Sequence, residues 1–306
     1  MRTLPRRKRK GGRLIYVLVA VHGRREITRR FLEALKRQTV SAFKVVVVDD
    51  GSTDGTGEML ARDFPDVAVL RGNGDLWWTG AMRKGVDWVL ERAGAEDYVI
   101  CANNDQIPKE NAIATLLKES REYGGAIVGS LSRDFSDPTK LYDAAFSWNW
   151  KTNRYARVPI GDQGRISAGV DVLTCRFTIV PVEVFRKINF EPSLFPHYLG
   201  DYDFFLTVKR SGYRLVLSYD SIVYDVGGPS GNFRSGWNLT LAQLRDNYFS
   251  IRSHANVIYM TRFFFRHCPS LFFKLVYIAR LGLKIVLQFL SASVITLTRK
   301  AGSAKA

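Results

Sequence analysis

Residues 45–56 read VVVVDDGSTDGT, and this stretch decides the fold class. Four consecutive valines are typical of a strand buried on both faces, because a strand with one solvated face alternates apolar and polar residues. Two carboxylates and a glycine follow at once, and small hydroxyl residues then open a helical pattern. A buried strand that passes through a polar loop into a helix indicates a sheet wrapped by crossover helices.

The same alternation continues on both sides of this stretch. Strand-like apolar runs lie at 14–21, 43–48, 67–70, 98–102 and 126–129, and helical patterns lie near 26–37, 54–64, 79–94 and 110–122. We therefore expect an α/β fold that binds its ligands in the loops at the carboxyl ends of the strands. The pattern becomes mixed after about residue 130, with aromatic-rich strands, an apolar run at 170–180, a helix from about 182 and a helix at 201–211.

Charge is distributed unevenly along the 306 residues. The hydrophobic content of 46% is ample for a packed core. The net charge is +16, but residues 1–13 hold seven basic residues, residues 251–306 hold nine, and neither segment holds an acidic one. A nucleic-acid groove would place the basic excess on the folded body, so we expect no nucleic-acid partner. Two basic ends favour contact with an anionic membrane surface.

The sequence after residue 250 is both basic and apolar. Residues 271–297 form an apolar stretch interrupted by Lys274, Arg280 and Lys284, and the longest uncharged part, 285–298, has 14 residues. That length is short for a membrane span, so we predict amphipathic helices lying among the headgroups of the cytoplasmic leaflet, which makes the protein peripheral. The alternative is that these helices pack on the domain or in a homo-oligomer interface. Three widely spaced cysteines give no disulfide framework, as is usual in a reducing compartment.

Three acidic clusters follow strands or begin helices. In the first, Asp49 and Asp50 end the valine strand, where they can accept hydrogen bonds from a base and ribose. The alternative interpretation is a helix N-cap formed by Thr53 or Asp54. The second cluster is Asn103-Asn104-Asp105, in which Asp105 is a candidate ligand for Mg²⁺ or Mn²⁺ holding a diphosphate. A turn residue is the alternative there.

The third cluster comprises Asp201 and Asp203 at the start of a predicted helix. Residues at i and i+2 do not share a helix face, so one carboxylate would face a cleft while the other caps the helix or pairs locally. A carboxylate in a cleft can act as general base for an acceptor hydroxyl. The alternative is that both carboxylates cap the helix.

Taken together and in this order, the three clusters resemble those of glycosyltransferase family 2 enzymes with a GT-A fold. VVVVDDGSTDGT resembles the nucleotide-binding segment, CANND a variant of the metal-binding DxD motif, and GDYDFFLTVKRSGY the motif that begins the acceptor-side helix. The resemblance covers about residues 13–220. Residues 71–82, RGNGDLWWTGAM, are similar to the donor-site segment of a rhamnosyltransferase-like bacterial subset.

The resemblance implies a mixed sheet flanked by helices, in a GT-A domain at 14–250 with a nucleotide half at about 14–130 and an acceptor half at about 131–250. The charge and hydropathy pattern adds a basic tail at 1–13 and a membrane-associating segment of amphipathic helices at 251–306. The resemblance also implies roles for individual residues. The residues implied to contact the nucleotide or the donor sugar are His22, Gly23, Arg24, Asp50, Asn73, Gly74, Asp75, Trp78, Asn103 and Asn104. The implied metal ligands are Asp105 and Asp225, and a turn before Gly227 is an equal explanation of Asp225. The implied general base is Asp201, and Tyr202 and Asp203 are implied on the acceptor side.

The activity implied is inverting transfer of a sugar to a hydroxyl of a lipid-linked or cell-surface glycan, with a divalent cation, Mg²⁺ or Mn²⁺, as cofactor. The expected donor is dTDP-rhamnose, with UDP-hexoses or UDP-galactofuranose as alternatives. A sugar-phosphate nucleotidyltransferase is disfavoured because the sequence has no early G-x-G-x-R loop. A non-catalytic, membrane-associated protein that binds nucleotide sugars is the remaining alternative.

Overall fold

The computed structural model describes residues 13–143, 145–159, 169–227 and 239–303, so most of the predicted N-terminal tail lies outside the described residues. The strands are β1 (Ile15–Val21), β2 (Phe43–Asp49), β3 (Ala68–Arg71), β4 (Tyr98–Asn103), β5 (Gln106–Pro108), β6 (Ile127–Asp134), β7 (Leu141–Asp143), β8 (Phe146–Asn149), β9 (Arg154–Arg157), β10 (Thr178–Pro181) and β11 (Leu215–Asp225). The helices are α1 (Arg25–Lys36), α2 (Thr56–Asp63), α3 (Trp77–Leu90), α4 (Ala112–Glu122), α5 (Val182–Phe185), α6 (Gly200–Arg210), α7 (Leu241–Phe249), α8 (Val257–His267) and α9 (Leu271–Ser303).

One mixed sheet forms the centre of the fold, in the order β3-β2-β1-β4-β10-β6-β11-β5, with β7 paired to β6. Strands β1 to β4 are parallel, as the apolar runs and crossover helices predict. Strand β10 enters antiparallel between β4 and β6, although it comes from the second half of the chain. The predicted nucleotide and acceptor halves therefore share a single sheet.

Two apolar layers cover the sheet. Helices α1, α2 and α4 pack against one face, where Phe31, Met59 and Leu116 are buried against β1 and β4. Helices α3, α5 and α6 pack on the other face through residues such as Met82 and Phe204. Both faces of β1 and β4 are thus buried, which explains their continuous apolar sequences. The structure confirms the predicted mixed α/β sheet flanked by helices.

Among the described residues, the C-terminal segment forms helices α8 and α9, and α7, which precedes the segment, packs against α9 through Leu244, Tyr248 and Ala292. Part of α9, Leu271–Ser293, has a mean hydropathy of 1.6, and by length and composition this helix is sufficient to cross a membrane. The uncharged stretch of 14 residues found in the sequence is therefore only part of a longer continuous helix. Only 11% of the most apolar 18 residues of this helix is buried within the protein, so most of this stretch is accessible to a membrane or to another protein chain.

Candidate active site

The loops that follow β1 and β2 are hydrogen-bonded to each other. His22 Nδ1 lies 2.5 Å from the backbone oxygen of Asp50. The backbone N–H of Gly23 donates to Ser52 Oγ at 2.7 Å. These contacts bring the predicted nucleotide loop at 22–24 beside the DDGS segment, at the carboxyl edge of the sheet, where α/β folds bind ligands.

Asp54 caps α2, as the alternative interpretation predicted, by accepting the backbone N–H of Thr56 at 3.2 Å, and it caps α1 as well. Its carboxylate accepts the backbone N–H of Arg25, the first residue of α1, at 2.8 Å. It also accepts from the Thr56 hydroxyl at 2.5 Å, and this bond lowers the pKa of Asp54. Helix α2 has no side-chain cap at Gly55. Asp54 therefore joins the starts of two helices, which leaves the remaining acidic residues of the segment to other roles.

Asp50 is buried and holds the loop that leads into α3. One carboxylate oxygen accepts the backbone N–H of Gly74 at 2.8 Å, and the other accepts the backbone N–H of Trp77 at 3.0 Å. Asn73 and Asp75 are exposed in the same loop, where Asn73 Oδ1 accepts the N–H of Asp75 at 3.1 Å. Asp50 thus shapes the predicted donor loop, and its direct contact with a base or ribose stays a prediction.

Trp78 connects the donor loop to the end of β4. Its indole N–H donates to Asn103 Oδ1 at 3.0 Å, and its ring meets Phe190 edge-on at 5.6 Å between centroids. The neighbouring Asn104 is buried and donates to Thr28 Oγ1 of α1 at 2.9 Å. Both asparagines therefore orient the end of β4 through side-chain hydrogen bonds.

Asp105 follows these asparagines at the junction of β4, β5 and β11. Its side chain is 15% exposed, and Arg24 Nη1 lies 3.2 Å from Oδ2. Gln106 Nε2 donates to the other carboxylate oxygen at 3.3 Å. The backbone N–H of Val226 donates to the Asp105 carbonyl at 2.9 Å. This accessible carboxylate with an arginine beside it forms the charged part of the crevice.

Asp225 lies next to Asp105 but is more deeply buried. Its carboxylate pairs with Arg176, accepts from Gln106 at 2.6 Å and accepts the backbone N–H of Gly227 at 3.1 Å. Burial raises the pKa of Asp225 to about 6; Arg176 opposes the shift and Asp105 adds to it. The contact with Gly227 matches the turn that was the alternative explanation of this residue. Arg176 is the basic residue within the apolar run at 170–180. A cation in such a run indicates a buried ion pair, because buried cations require a partner.

Asp201 lies at the first turn of α6, which packs directly on the first turn of α3. A Cβ at Gly200 would lie 2.1 Å from Thr79 Oγ1, so only glycine permits this approach. Burial, Cys101 and Asp201 together raise the pKa of the Cys175 thiol. Asp201 therefore lies within electrostatic range of Cys175, which is buried beside Cys101 of β4.

Asp203, in the first turn of α6, is paired with side chains of α8. Its side chain is 3% exposed, and one oxygen lies 2.7 Å from His267 Nε2 and 2.7 Å from Arg266 Nε. Asp203 thus forms a buried link between α6 and α8, and its acceptor-side role stays a prediction. Tyr202 points the other way and lies among aromatic rings, 6.2 Å from Trp148 between centroids.

His197 is a site residue that the sequence analysis did not single out. Its ring centroid lies 5.5 Å from that of Trp77 and 4.5 Å from that of Tyr198. Its Nδ1 is buried with no hydrogen-bond partner among the described residues. Burial, assisted by Arg252, lowers the pKa of His197 to about 4. A neutral imidazole between the donor loop and α6 is therefore a further candidate for ligand contact.

Comparisons with known proteins agree with this geometry. A profile of the family described as Glycosyl transferase family 2 matches residues 16–179. N-acetylglucosaminyl-diphospho-decaprenol L-rhamnosyltransferase of Mycobacterium tuberculosis, in two strains, is 31% identical over 112 residues. That match covers 34% of this chain and 36% of the relative, about a third of the relative's length.

Two solved structures share the fold at low sequence identity. GalNAc-T7, with UDP, GalNAc and Mn²⁺, has a TM-score of 0.56 at 15% identity over 70% of this chain and 44% of its own. A mannosyltransferase from Pyrobaculum calidifontis, with GDP-Man and Mn²⁺, has a TM-score of 0.53 at 16% identity. The second likeness covers 94% of this chain and 75% of the other, so the shared fold includes nearly the whole chain.

Proposed function

The chain belongs to glycosyl transferase family 2 with a GT-A fold, and from this premise we propose that it is an inverting enzyme. It transfers rhamnose from dTDP-rhamnose to a hydroxyl of a lipid-linked or cell-surface glycan. The observation that carries the proposal is the convergence around α3 of three loops, which bear Asp50, Asp105 and Asp201. Trp78 bonds to Asn103 on one side of α3, and Gly200 packs on Thr79 on the other.

Asp201 is proposed as the general base. Its Oδ1 accepts the backbone N–H of Tyr202 at 2.9 Å, and its place in the first turn of α6 favours a negatively charged carboxylate. The base removes the proton of the acceptor hydroxyl as the oxygen attacks the anomeric carbon. The bond from that carbon to the diphosphate breaks on the opposite face, so the anomeric configuration inverts.

Asp105 fits a divalent cation that is shared with the donor diphosphate. No three His, Cys, Asp or Glu side chains in the described part of the chain are grouped as a metal site. Mg²⁺ and similar ions typically need only one or two carboxylates when phosphate oxygens complete the shell. Asp225 fits less well, since its oxygens are engaged by Arg176, Gln106 and Gly227.

When bound, the cation supplies positive charge to the diphosphate leaving group. Arg24 lies 3.2 Å from the Asp105 carboxylate, so its guanidinium is proposed to bind the same diphosphate. The neighbouring amides, Asn103 and Asn104, hold this end of β4 in place for the donor. We propose that His22 and Gly23 close over the nucleotide from the opposite loop.

The choice of rhamnose and of a lipid-linked acceptor is supported by the Mycobacterium tuberculosis relative, whose name contains both. UDP-hexoses and UDP-galactofuranose remain as alternative donors to be tested. Helix α9 supports a position at the cytoplasmic face of the membrane, because its apolar side chains are largely exposed.

The test is a donor panel. The purified enzyme is incubated with Mn²⁺ or Mg²⁺, a polyprenyl diphosphate-linked sugar as acceptor, and dTDP- and UDP-sugars in turn. Release of nucleoside diphosphate from dTDP-rhamnose, with a product of inverted anomeric configuration by NMR, is the expected result. Release from a UDP-sugar alone would replace the donor, and retention of configuration would contradict the mechanism.

A further inference from the structure

A cavity of about 490 Å³ lies outside the crevice, between the β8–β9 turn, the segment before α8, and helices α8 and α9. We call it the basic cavity. Four of its lining residues are cations and none is Asp or Glu: Lys151, Arg154, Arg280 and Lys284. None of the four has an ion-pair partner among the residues that the structure describes. Its volume is within the usual range for small-molecule sites.

Four exposed cations around one cavity, without ion-pair partners among the described residues, form a region of positive potential that attracts an anion. Lysine and arginine are the side chains that bind phosphate, the arginines through paired N–H groups. A diphosphate that links a sugar to a prenyl chain carries two negative charges, which balance half of the four cations in this lining. Charge complementarity therefore indicates a phosphate-bearing ligand.

The position of the cavity on α9 indicates that this ligand is a lipid. Arg280 and Lys284 lie near the middle of the apolar part of α9, on the side that lines the cavity with Phe273 and Tyr277. Large apolar side chains on other sides of the same helix are exposed, including Leu271, Phe272, Leu275, Leu283, Leu287 and Leu290. Cations beside exposed apolar surface are typical of a helix lying at headgroup depth.

The basic cavity also adjoins the acceptor side of the crevice. His254 lines the cavity, and its ring lies 6.0 Å from that of Tyr198 between centroids. Tyr198 precedes Asp201 by three residues and contacts His197 at 4.5 Å. The contact between His254 and Tyr198 therefore joins the wall of the cavity to the segment that leads into Asp201.

We propose that the basic cavity binds the diphosphate of a polyprenyl-linked acceptor, with the prenyl chain along the exposed apolar surface of α9 and the sugar towards Asp201. This inference rests on the proposed function, which supplies the lipid-linked acceptor. It adds the place where the acceptor's diphosphate is held. Bulk anionic phospholipid is the other source of phosphate, and the experiment separates the two.

The experiment measures binding to three kinds of vesicle: phosphatidylcholine alone, phosphatidylcholine with a long-chain polyprenyl diphosphate, and phosphatidylcholine with phosphatidylglycerol at equal negative charge. We expect the full chain to prefer the polyprenyl diphosphate vesicles by at least about tenfold, as charge-assisted contacts allow. Inorganic pyrophosphate should compete for that preference. Equal binding to the two anionic vesicles would overturn the proposal.

Matched variants locate the effect. Arg154→Gln, on β9 and away from α9, and Arg280→Gln, on α9, should each lose the preference for polyprenyl diphosphate. Lys274→Gln removes the same charge from α9 but does not line the cavity, so it should keep the preference. A loss in Lys274→Gln equal to that in Arg280→Gln would show general electrostatic attraction and overturn the proposal. Thermal unfolding checks that each variant is folded.

The two proposals fail in different ways. Release of nucleoside diphosphate to water, with no lipid present, is measured on the same wild-type enzyme. If release occurs from a nucleotide sugar while the vesicle preference is absent, the cavity proposal alone is wrong. If the preference and its loss in Arg154→Gln are present but no donor is turned over, the proposed function is wrong and the cavity still binds the lipid diphosphate.

Discussion

Replacing Gly200 by alanine tests whether close packing of α6 on α3 positions the proposed base. The new Cβ would lie 2.1 Å from Thr79 Oγ1 and 3.0 Å from its Cγ2, which is impossible without movement. Inserting a methyl group into a packed interior typically costs about 2 kcal/mol. Asp201 is the next residue, so relief of the clash moves its carboxylate away from α3.

The effect on catalysis should exceed the effect on stability. A displacement of about 1 Å in a catalytic group costs roughly a hundredfold in rate. We therefore expect Gly200→Ala to lose about 2 kcal/mol in the free energy of urea unfolding and roughly a hundredfold in kcat. The affinity for donor, measured by calorimetry, should change little because the loop held by Asp50 is not touched.

A second substitution supplies the control. Thr79→Ala removes both clashing atoms, and Thr79 Oγ1 has no hydrogen-bond partner among the described residues, so its loss is mild. The double variant Thr79→Ala/Gly200→Ala should recover most of the stability and activity lost in Gly200→Ala. Additive losses in the double variant, or wild-type behaviour of Gly200→Ala, would refute the packing explanation.

Three further predictions concern charged groups. Because the folded protein holds the pKa of His197 near 4, below its ordinary 6.5, the free energy of unfolding should fall by up to about 3 kcal/mol as pH falls from 6.5 to 4. The free energy of unfolding of His197→Gln should lack this component of the pH dependence. The same pH dependence in the wild type and in His197→Gln would contradict the prediction. Asp203→Asn should lower the free energy of unfolding by about 3 kcal/mol, because it removes the buried charged partner of His267, and it should leave donor affinity unchanged. Loss of donor affinity in calorimetry would contradict this structural role of Asp203. EDTA should abolish turnover, and Asp105→Asn should raise the Mn²⁺ concentration for half-maximal rate at least about tenfold; turnover unaffected by EDTA would exclude the cation.

The first half of the fold was predictable because local sequence determines it. Strands β1 and β4 and the second half of β2 are buried, so they read as apolar runs, whereas the edge strand β3 is only half-buried. The ends of all four strands lie within two residues of those predicted. The place of β10 was not predictable. Its four residues are inserted between β4 and β6 by contacts distant in the chain. Strand β11 was also missed, because Ser218, Asp220 and Ser221 interrupt its apolar pattern near a bulge.

The candidate site was predictable in part for the same reason. Loops after parallel strands meet at one edge, and the structure places the loops bearing Asp50 and Asp105 there. The partner of Asp203 could not be read from the sequence, since His267 lies 64 residues away. The importance of Thr79 became visible only from its contact with Gly200.

The most direct measurement compares wild type with Asp201→Asn for turnover of dTDP-rhamnose, with donor affinity measured alongside. Asp87→Asn is the control, because Asp87 is half-exposed on α3 and, among the described residues, pairs at the surface with Arg83 and Asn189. We predict that Asp201→Asn lowers kcat at least about a hundredfold, the scale of general-base catalysis, while donor affinity is kept. Equal turnover by the wild type and Asp201→Asn would contradict the assignment of Asp201 as the base.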